Sequence, residues 1–448
     1  MSRAKLVVIG GDAAGMSAAS KVRRAQPDRE IVVFERGKHT SYAACGMPYF
    51  IAGQVSDADQ LIARKPEVFR EKQNIDVRTR HEVIKIDVEN KKVEVKDISQ
   101  NSTFRESYDE LLIATGASPI RPDFEGIESD GIFGLSTLQT GIDVFEYIKE
   151  HSPKKAVIVG GGYIGIEMAE ALLDLDMEVT LFDMAPQVMT TMDIDMADLI
   201  AEYMRESGVK VYLNEKLDKF ETENGAVTSV LTDQREVEAD LVILGMGVKP
   251  NADLINGTII ETGVKGAIKV NKKLQTSVPG IWAAGDCAES YHLVKKDQTW
   301  IALGTVANKH GLVAGINLSG GDIEFPGVCG TAITKFQVLE ISRTGLSEKE
   351  LEESGIKYKT AKIESRTRSG YYPGSDKITV KLISDESNGK ILGGQIVGFK
   401  GSAKRIDTIV TAITAGMTAQ NIVDLDLSYA PPFSPVWDPV QTAARRLV

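Results

Sequence analysis

Val157-Ile158-Val159-Gly160-Gly161-Gly162-Tyr163-Ile164-Gly165-Ile166-Glu167 is an apolar run that stops abruptly at glycine and resumes with helix-forming residues. The pattern predicts a buried strand, a tight turn and a helix, with Gly160, Gly162 and Gly165 at the spacing that lets backbone N–H groups and the helix N-terminus meet a pyrophosphate. The next apolar run, Val179-Thr180-Leu181-Phe182, ends in Asp183. A carboxylate there accepts the 2′-hydroxyl of an adenosine ribose and repels a 2′-phosphate, so NADH is the expected ligand. NADPH is the alternative if a base such as Lys210 offsets Asp183. Tyr163, Ile164, Glu167 and Gly247 complete the residues expected around this dinucleotide.

The same pattern stands about 150 residues earlier, as Val7-Val8-Ile9-Gly10-Gly11-Asp12-Ala13-Ala14-Gly15, with Ile31-Val32-Val33-Phe34 leading to Glu35 and Arg36. Gly10, Ala13, Ala14 and Gly15 are expected to face a second pyrophosphate, and Glu35 its ribose. Asp12 departs from the pattern. It occupies the position where a glycine normally permits close approach, and its charge repels a pyrophosphate unless the side chain turns away.

Working outward, short apolar runs alternate with helical stretches: Lys5–Ile9, Ile31–Phe34, Leu111–Ala114, Ala156–Val159, Val179–Phe182, Leu241–Leu244 and Ile281–Ala284. The alternation predicts an α/β chain with two Rossmann-like parallel sheets. Gly280-Ile281-Trp282-Ala283-Ala284-Gly285-Asp286 follows the second unit yet reads as the end of the first, so the second unit is expected to be inserted into it. The expected division is 1–153 for the first unit with its linker, 154–250 for the inserted unit, 251–322 for the return to the first, and 323–448 for a third, α+β domain. Beyond Phe325 the texture is β-rich, as in Lys377–Leu382 and Leu392–Val397, and an amphipathic helix is expected over Ala403–Ala415. Arg121 to Gly131 is the most loop-like linker.

Bulk properties exclude other classes. A net charge of −11 without any basic block argues against nucleic acid or a polybasic membrane anchor as partner. The first apolar run is four residues long, too short for a signal-peptide core or a membrane span, which points to a cytoplasmic protein. Three widely spaced cysteines, Cys45, Cys287 and Cys329, fit neither a disulfide framework nor a metal cluster, so no metal is expected.

The order of a first glycine turn, Ala114-Thr115-Gly116, a second glycine turn and Ala284-Gly285-Asp286 resembles the pyridine nucleotide-disulfide oxidoreductase family over essentially the whole chain. The resemblance implies FAD in the outer unit, near Thr115 and Gly116 and with Asp286 on the ribityl chain. It also implies a nicotinamide dinucleotide in the inserted unit and a C-terminal domain that forms a homodimer.

Ser41-Tyr42-Ala43-Ala44-Cys45-Gly46-Met47-Pro48-Tyr49-Phe50 narrows the resemblance. Most members carry CxxxxC here, and Phe50 stands at the second cysteine position, so no internal disulfide forms. A lone cysteine cycles through a sulfenic acid or a mixed disulfide. The run is similar to the single-cysteine branch of NADH oxidases, NADH peroxidases and coenzyme A disulfide reductases. Oxidases and peroxidases of that branch resemble one another in a histidine whose matching position here is Ala13, so the peroxide-handling residue is missing. Tyr371-Tyr372-Pro373-Gly374 and Ser428-Tyr429-Ala430-Pro431-Pro432-Phe433 resemble the two tyrosine motifs of coenzyme A disulfide reductases. On this reading Cys45 is the nucleophile, and Tyr371 and Tyr429 assist a departing thiolate. Arg23, Arg24, Ser41 and Lys72 are candidates to hold coenzyme A, whose phosphates need local positive charge. The small-molecule disulfide could instead be a persulfide or polysulfide, a reading lowered by the absence of a sulfur-carrier domain after Val448. An NADH oxidase and an electron-transfer reductase for a redox partner protein are the remaining alternatives.

Overall fold

The computed structural model describes residues 4–448. Leu6–Ile9 is buried on both faces, as its unbroken apolar sequence requires of a central parallel strand. Around it a five-stranded parallel sheet runs in the order Ile281–Ala283, Glu110–Ile113, Leu6–Ile9, Ile31–Glu35, Asp76–Thr79. Its edge strand Ile281–Ala283 comes from far downstream, so the chain leaves this sheet and returns to it. Between departure and return it builds a second parallel sheet in the order Lys210–Leu213, Glu178–Asp183, Lys155–Val159, Leu241–Leu244, Ile132–Gly134.

The two crossings lie side by side. Ala117–Pro119, on the way out, pairs antiparallel with Val248–Pro250, on the way back. Just beyond them Thr115 Oγ1 donates to the Asn251 carbonyl at 2.6 Å, and Asn251 Nδ2 donates to the Thr115 carbonyl at 2.8 Å. One expectation is corrected here. Ile132–Gly134, placed on sequence with the first unit and its linker, pairs with Val242–Leu244 at the edge of the second sheet. A strand of three residues carries too little periodicity to be seen, and it follows a linker, 120–131, without helix or strand.

The third domain is a five-stranded antiparallel sheet ordered Ala332–Phe336, Leu339–Gly345, Ile391–Gly398, Lys377–Asp385, Tyr358–Arg366. Ile406, Ile409 and Ile413, at helical spacing on the Ile406–Thr414 helix, share a core with Ile378, Val380, Leu382 and Ile396 of that sheet. The helix expected over Ala403–Ala415 opens with a 3₁₀ turn at Ala403–Arg405. Among the described residues no helix is long and apolar enough to cross a membrane.

Candidate active site

The two glycine turns are built alike. Glu35 accepts the Gly11 N–H on Oε2 at 2.8 Å and the Gly37 N–H on Oε1 at 2.6 Å. Asp183 repeats this with Gly161 at 2.6 Å and Ala185 at 2.8 Å. Each carboxylate is thus fixed at the end of its strand against its own turn, with lone pairs left for a hydroxyl. Gly10 and Gly160 sit at φ 104° and 110°, where a Cβ would come within 2.1 Å of the Ala114 carbonyl oxygen and 2.3 Å of the Gly245 carbonyl oxygen. A Cβ at Gly162 would meet nothing within 4 Å. The protein leaves that position open. Lys210, the base that could offset Asp183, is paired instead with Glu178.

Asp286 carries a buried Oδ1 with no hydrogen-bond partner. Burial pushes its carboxyl up to about 6, against the opposing effect of the Leu303 N–H. Trp300 Nε1 donates to its carbonyl at 2.7 Å. An orphaned buried carboxylate oxygen calls for a donor, so the residues present fit a ribityl hydroxyl of FAD. Next to it, Gly285 N–H donates to His310 Nδ1 at 3.3 Å, and His310 Nε2 lies 3.1 Å from Ser290 Oγ. Burial pulls His310 down to about 4, so it is a neutral, satisfied core residue. Asn251 is a site neighbour that sequence reading missed, since a lone asparagine after Pro250 carries no motif.

Cys45 is exposed in this chain, on the 3₁₀ turn Ala44–Gly46 that leads into the Met47–Ile51 helix. Its loop is pinned: Ala43 N–H donates to the Leu61 carbonyl at 2.8 Å, and Ala63 N–H to the Ser41 carbonyl at 2.8 Å. Phe50 is buried with its ring centroid 4.7 Å from that of Phe145, so the second cysteine position has become core. Partial burial, then the Glu167 carboxylate, push the Cys45 thiol up, with Asp286 adding to it. Glu167, expected only as a nucleotide neighbour, therefore also acts on the cysteine through its charge. Thr334 Oγ1 of the third domain donates to it at 2.7 Å, while burial raises its own carboxyl. Tyr163, one turn earlier on the same helix, is half-buried.

The substrate candidates divide. Arg23 is used differently from expectation: its guanidinium donates to the carbonyls of Pro27 and Asn74, both at 2.5 Å. It joins the end of the first helix to the end of the Pro66–Gln73 helix, a role that a Lys-Val-Arg-Arg string does not reveal. Arg24, Arg36 and Lys72 are exposed, and Ser41 is half-buried at φ 48°. Tyr371 and Tyr429 are exposed in the third domain, as are Phe433, Val436 and Trp437. Among the described residues, the carboxylate group close enough to share a metal ion, Asp193, Asp195 and Glu348, is occupied by the Lys381 ammonium.

Two dinucleotide-type turns on an interrupted pair of parallel sheets, with a cysteine between them and a separate antiparallel domain, define a flavoprotein disulfide oxidoreductase architecture. The chain belongs to the pyridine nucleotide-disulphide oxidoreductase family, whose model matches residues 4–311, while the family's dimerisation domain matches residues 331–439. Its members are NAD(P)H-dependent flavoproteins that use FAD. The chain is 41% identical to an NAD(P)H sulfur oxidoreductase (CoA-dependent) of Pyrococcus furiosus over 100% of both chains. It is 32% identical to a coenzyme A disulfide reductase of Staphylococcus haemolyticus over 96% of each. Reduced Bacillus anthracis CoADR-RHD superimposes with a TM-score of 0.96 at 38% identity, covering 99% of this chain and 80% of that one.

Proposed function

We propose that the chain reduces coenzyme A disulfide with NADH through a Cys45–S–S–CoA mixed disulfide. The observation that carries this reading is the single exposed thiol of Cys45, with Phe50 buried at the position of a second sulfur. When bound, FAD supplies a two-electron relay between NADH and that sulfur. The protein's own residues do the rest. The Cys45 thiolate attacks one sulfur of the disulfide, forming the mixed disulfide and expelling one coenzyme A thiolate. Two electrons from NADH then break the Cys45–S–S–CoA bond, releasing the second thiolate and restoring Cys45. Two protons, one of them from NADH oxidation and one from solvent, neutralise the products. Tyr371 and Tyr429 are phenols able to hand a proton to a departing thiolate. A homodimer covering their exposed face brings them to the site, and the match to a dimerisation domain supports that arrangement.

Glu35 and Asp286 hold FAD, and Asp183 holds the ribose of NADH. Arg24, Ser41 and Lys72 receive coenzyme A, with Arg23 fixing the two helix ends that carry Arg24 and Lys72. Similarity favours a second substrate for the same thiol, because relatives at 41% identity are named as a CoA-dependent NAD(P)H sulfur oxidoreductase and an NAD(P)H coenzyme A polysulfide/persulfide reductase. A coenzyme A persulfide or a polysulfide reacts by the same exchange at Cys45.

Mass spectrometry of the untreated protein tests the intermediate: a coenzyme A adduct on the peptide containing Cys45, removed by NADH, is expected. Steady-state assays with coenzyme A disulfide, coenzyme A persulfide and polysulfide then rank the substrates. Equal turnover of a disulfide lacking coenzyme A would defeat the proposal.

A further inference from the structure

Asp12 is the departure from the glycine fingerprint that the function above leaves unused. Its side chain makes no capping bond to the Ala13–Ala25 helix; Oδ1 instead accepts the Tyr42 backbone N–H at 3.1 Å. The preceding residue acts in parallel, since Ser41 N–H donates to the Gly11 carbonyl at 3.2 Å. Two successive residues of the cysteine loop are thus bonded to two successive residues of the first glycine turn. Ser41 takes its left-handed φ of 48° at this junction, a conformation uncommon outside glycine and kept only where the surroundings fix it.

The carboxyl is crowded by like charge. Glu35 reaches it from the end of the second strand of the first sheet, and Asp286 from beyond the edge strand. Burial is the largest influence, and with those two carboxylates it pushes Asp12 up to about 7, while the N–H groups of Tyr42 and Ala13 act the other way. The Tyr42 phenol, half-buried, feels the same Asp12 charge, with the Arg36 cation opposing it. A carboxylic acid kept neutral by such surroundings offers a hydroxyl donor where a carboxylate offers only repulsion.

We propose that Asp12 is a positioning residue that clamps the Cys45 loop to the FAD-binding turn and stays protonated when FAD is bound. One oxygen holds Tyr42, and the acidic hydrogen would be the donor that Asp12 offers to a pyrophosphate oxygen. The clamp operates whichever sulfur compound Cys45 takes.

Two measurements on full-length protein test it. Cys287 and Cys329 are buried, so iodoacetamide reads Cys45 in the NADH-reduced holoenzyme. Asp12→Asn keeps an amide oxygen for Tyr42 and is expected to alkylate at the wild-type rate. Asp12→Gly restores the fingerprint residue, removes the clamp, and is expected to alkylate about fivefold faster, the factor carried by one net hydrogen bond. FAD titration of the apoprotein between about pH 6 and 9 reads the proton: wild-type Kd rises by up to about tenfold per pH unit above neutrality, because binding takes up a proton. Asp12→Asn abolishes that slope. An Asp12→Gly alkylation rate equal to wild type, or a pH slope that survives in Asp12→Asn, overturns the proposal.

Discussion

Lys381 and Asp193 form an ion pair at 3.0 Å with side chains only 3% and 4% exposed, joining the antiparallel domain to the inserted dinucleotide unit. Asp195 at 2.8 Å and Glu348 at 2.9 Å share the same ammonium. Asp193 precedes the Ile194–Glu206 helix and exchanges two further bonds with Gln395, so one cation holds the start of that helix onto the sheet. Lys381→Ala leaves three carboxylates without their common partner. The expected loss is about 3–5 kcal/mol, the cost of breaking a buried pair from one side. Urea unfolding followed by tryptophan fluorescence checks it, and an unchanged midpoint would show the cluster to be solvated.

The proposed NADH preference rests on Asp183, whose two backbone bonds hold an anion where a 2′-phosphate would sit. Asp183→Ser is expected to lower kcat/KM for NADH by roughly ten- to a hundredfold, the worth of a charged hydrogen bond of about 1.5–3 kcal/mol. The value for NADPH should stay level or rise. The ratio of the two cofactors is the measurement, and an unchanged ratio would place the discrimination elsewhere.

His310 gives the pH dependence of stability an identifiable part. Burial depresses it to about 4 in the folded chain, while in the unfolded chain it titrates at about 6.5. The unfolded state therefore binds the extra proton between those values. Stability from this residue is complete above about pH 6.5 and falls as pH drops toward 4, by up to about 3 kcal/mol. His310→Gln keeps a donor and an acceptor for Ser290 and Gly285 without titrating. It should show a shallower acid slope in unfolding free energy than wild type.

Tyr371 and Tyr429 are exposed on the single chain, and the proposed function makes them proton donors to the departing thiolate. Phenylalanine at either position is expected to lower kcat by about a hundredfold with little change in KM, the range of general acid catalysis. A rise in KM alone would make them packing residues.

The glycine turns were legible because Gly10, Gly15, Gly160 and Gly165 are each demanded by a nearby backbone carbonyl, and Glu35 and Asp183 because strand ends follow an apolar run. The antiparallel domain was legible in its long strands, such as Lys377–Asp385 and Ile391–Gly398. Ile132–Gly134 was hidden by its length. Arg23 was hidden because a helix-end arginine bonding to carbonyls looks the same in sequence as one facing solvent. Glu167 bonds Thr334 and its charge acts on Cys45, bringing together three segments separated by more than a hundred residues each, and no local pattern encodes such a meeting.

Everything proposed for this chain depends on Cys45 carrying the sulfur exchange. Stopped-flow spectroscopy of Cys45→Ser, reduced with one equivalent of NADH and then mixed with coenzyme A disulfide, tests it most directly. Flavin reduction at the wild-type rate and no reoxidation by the disulfide are expected. Reoxidation at the wild-type rate would contradict it.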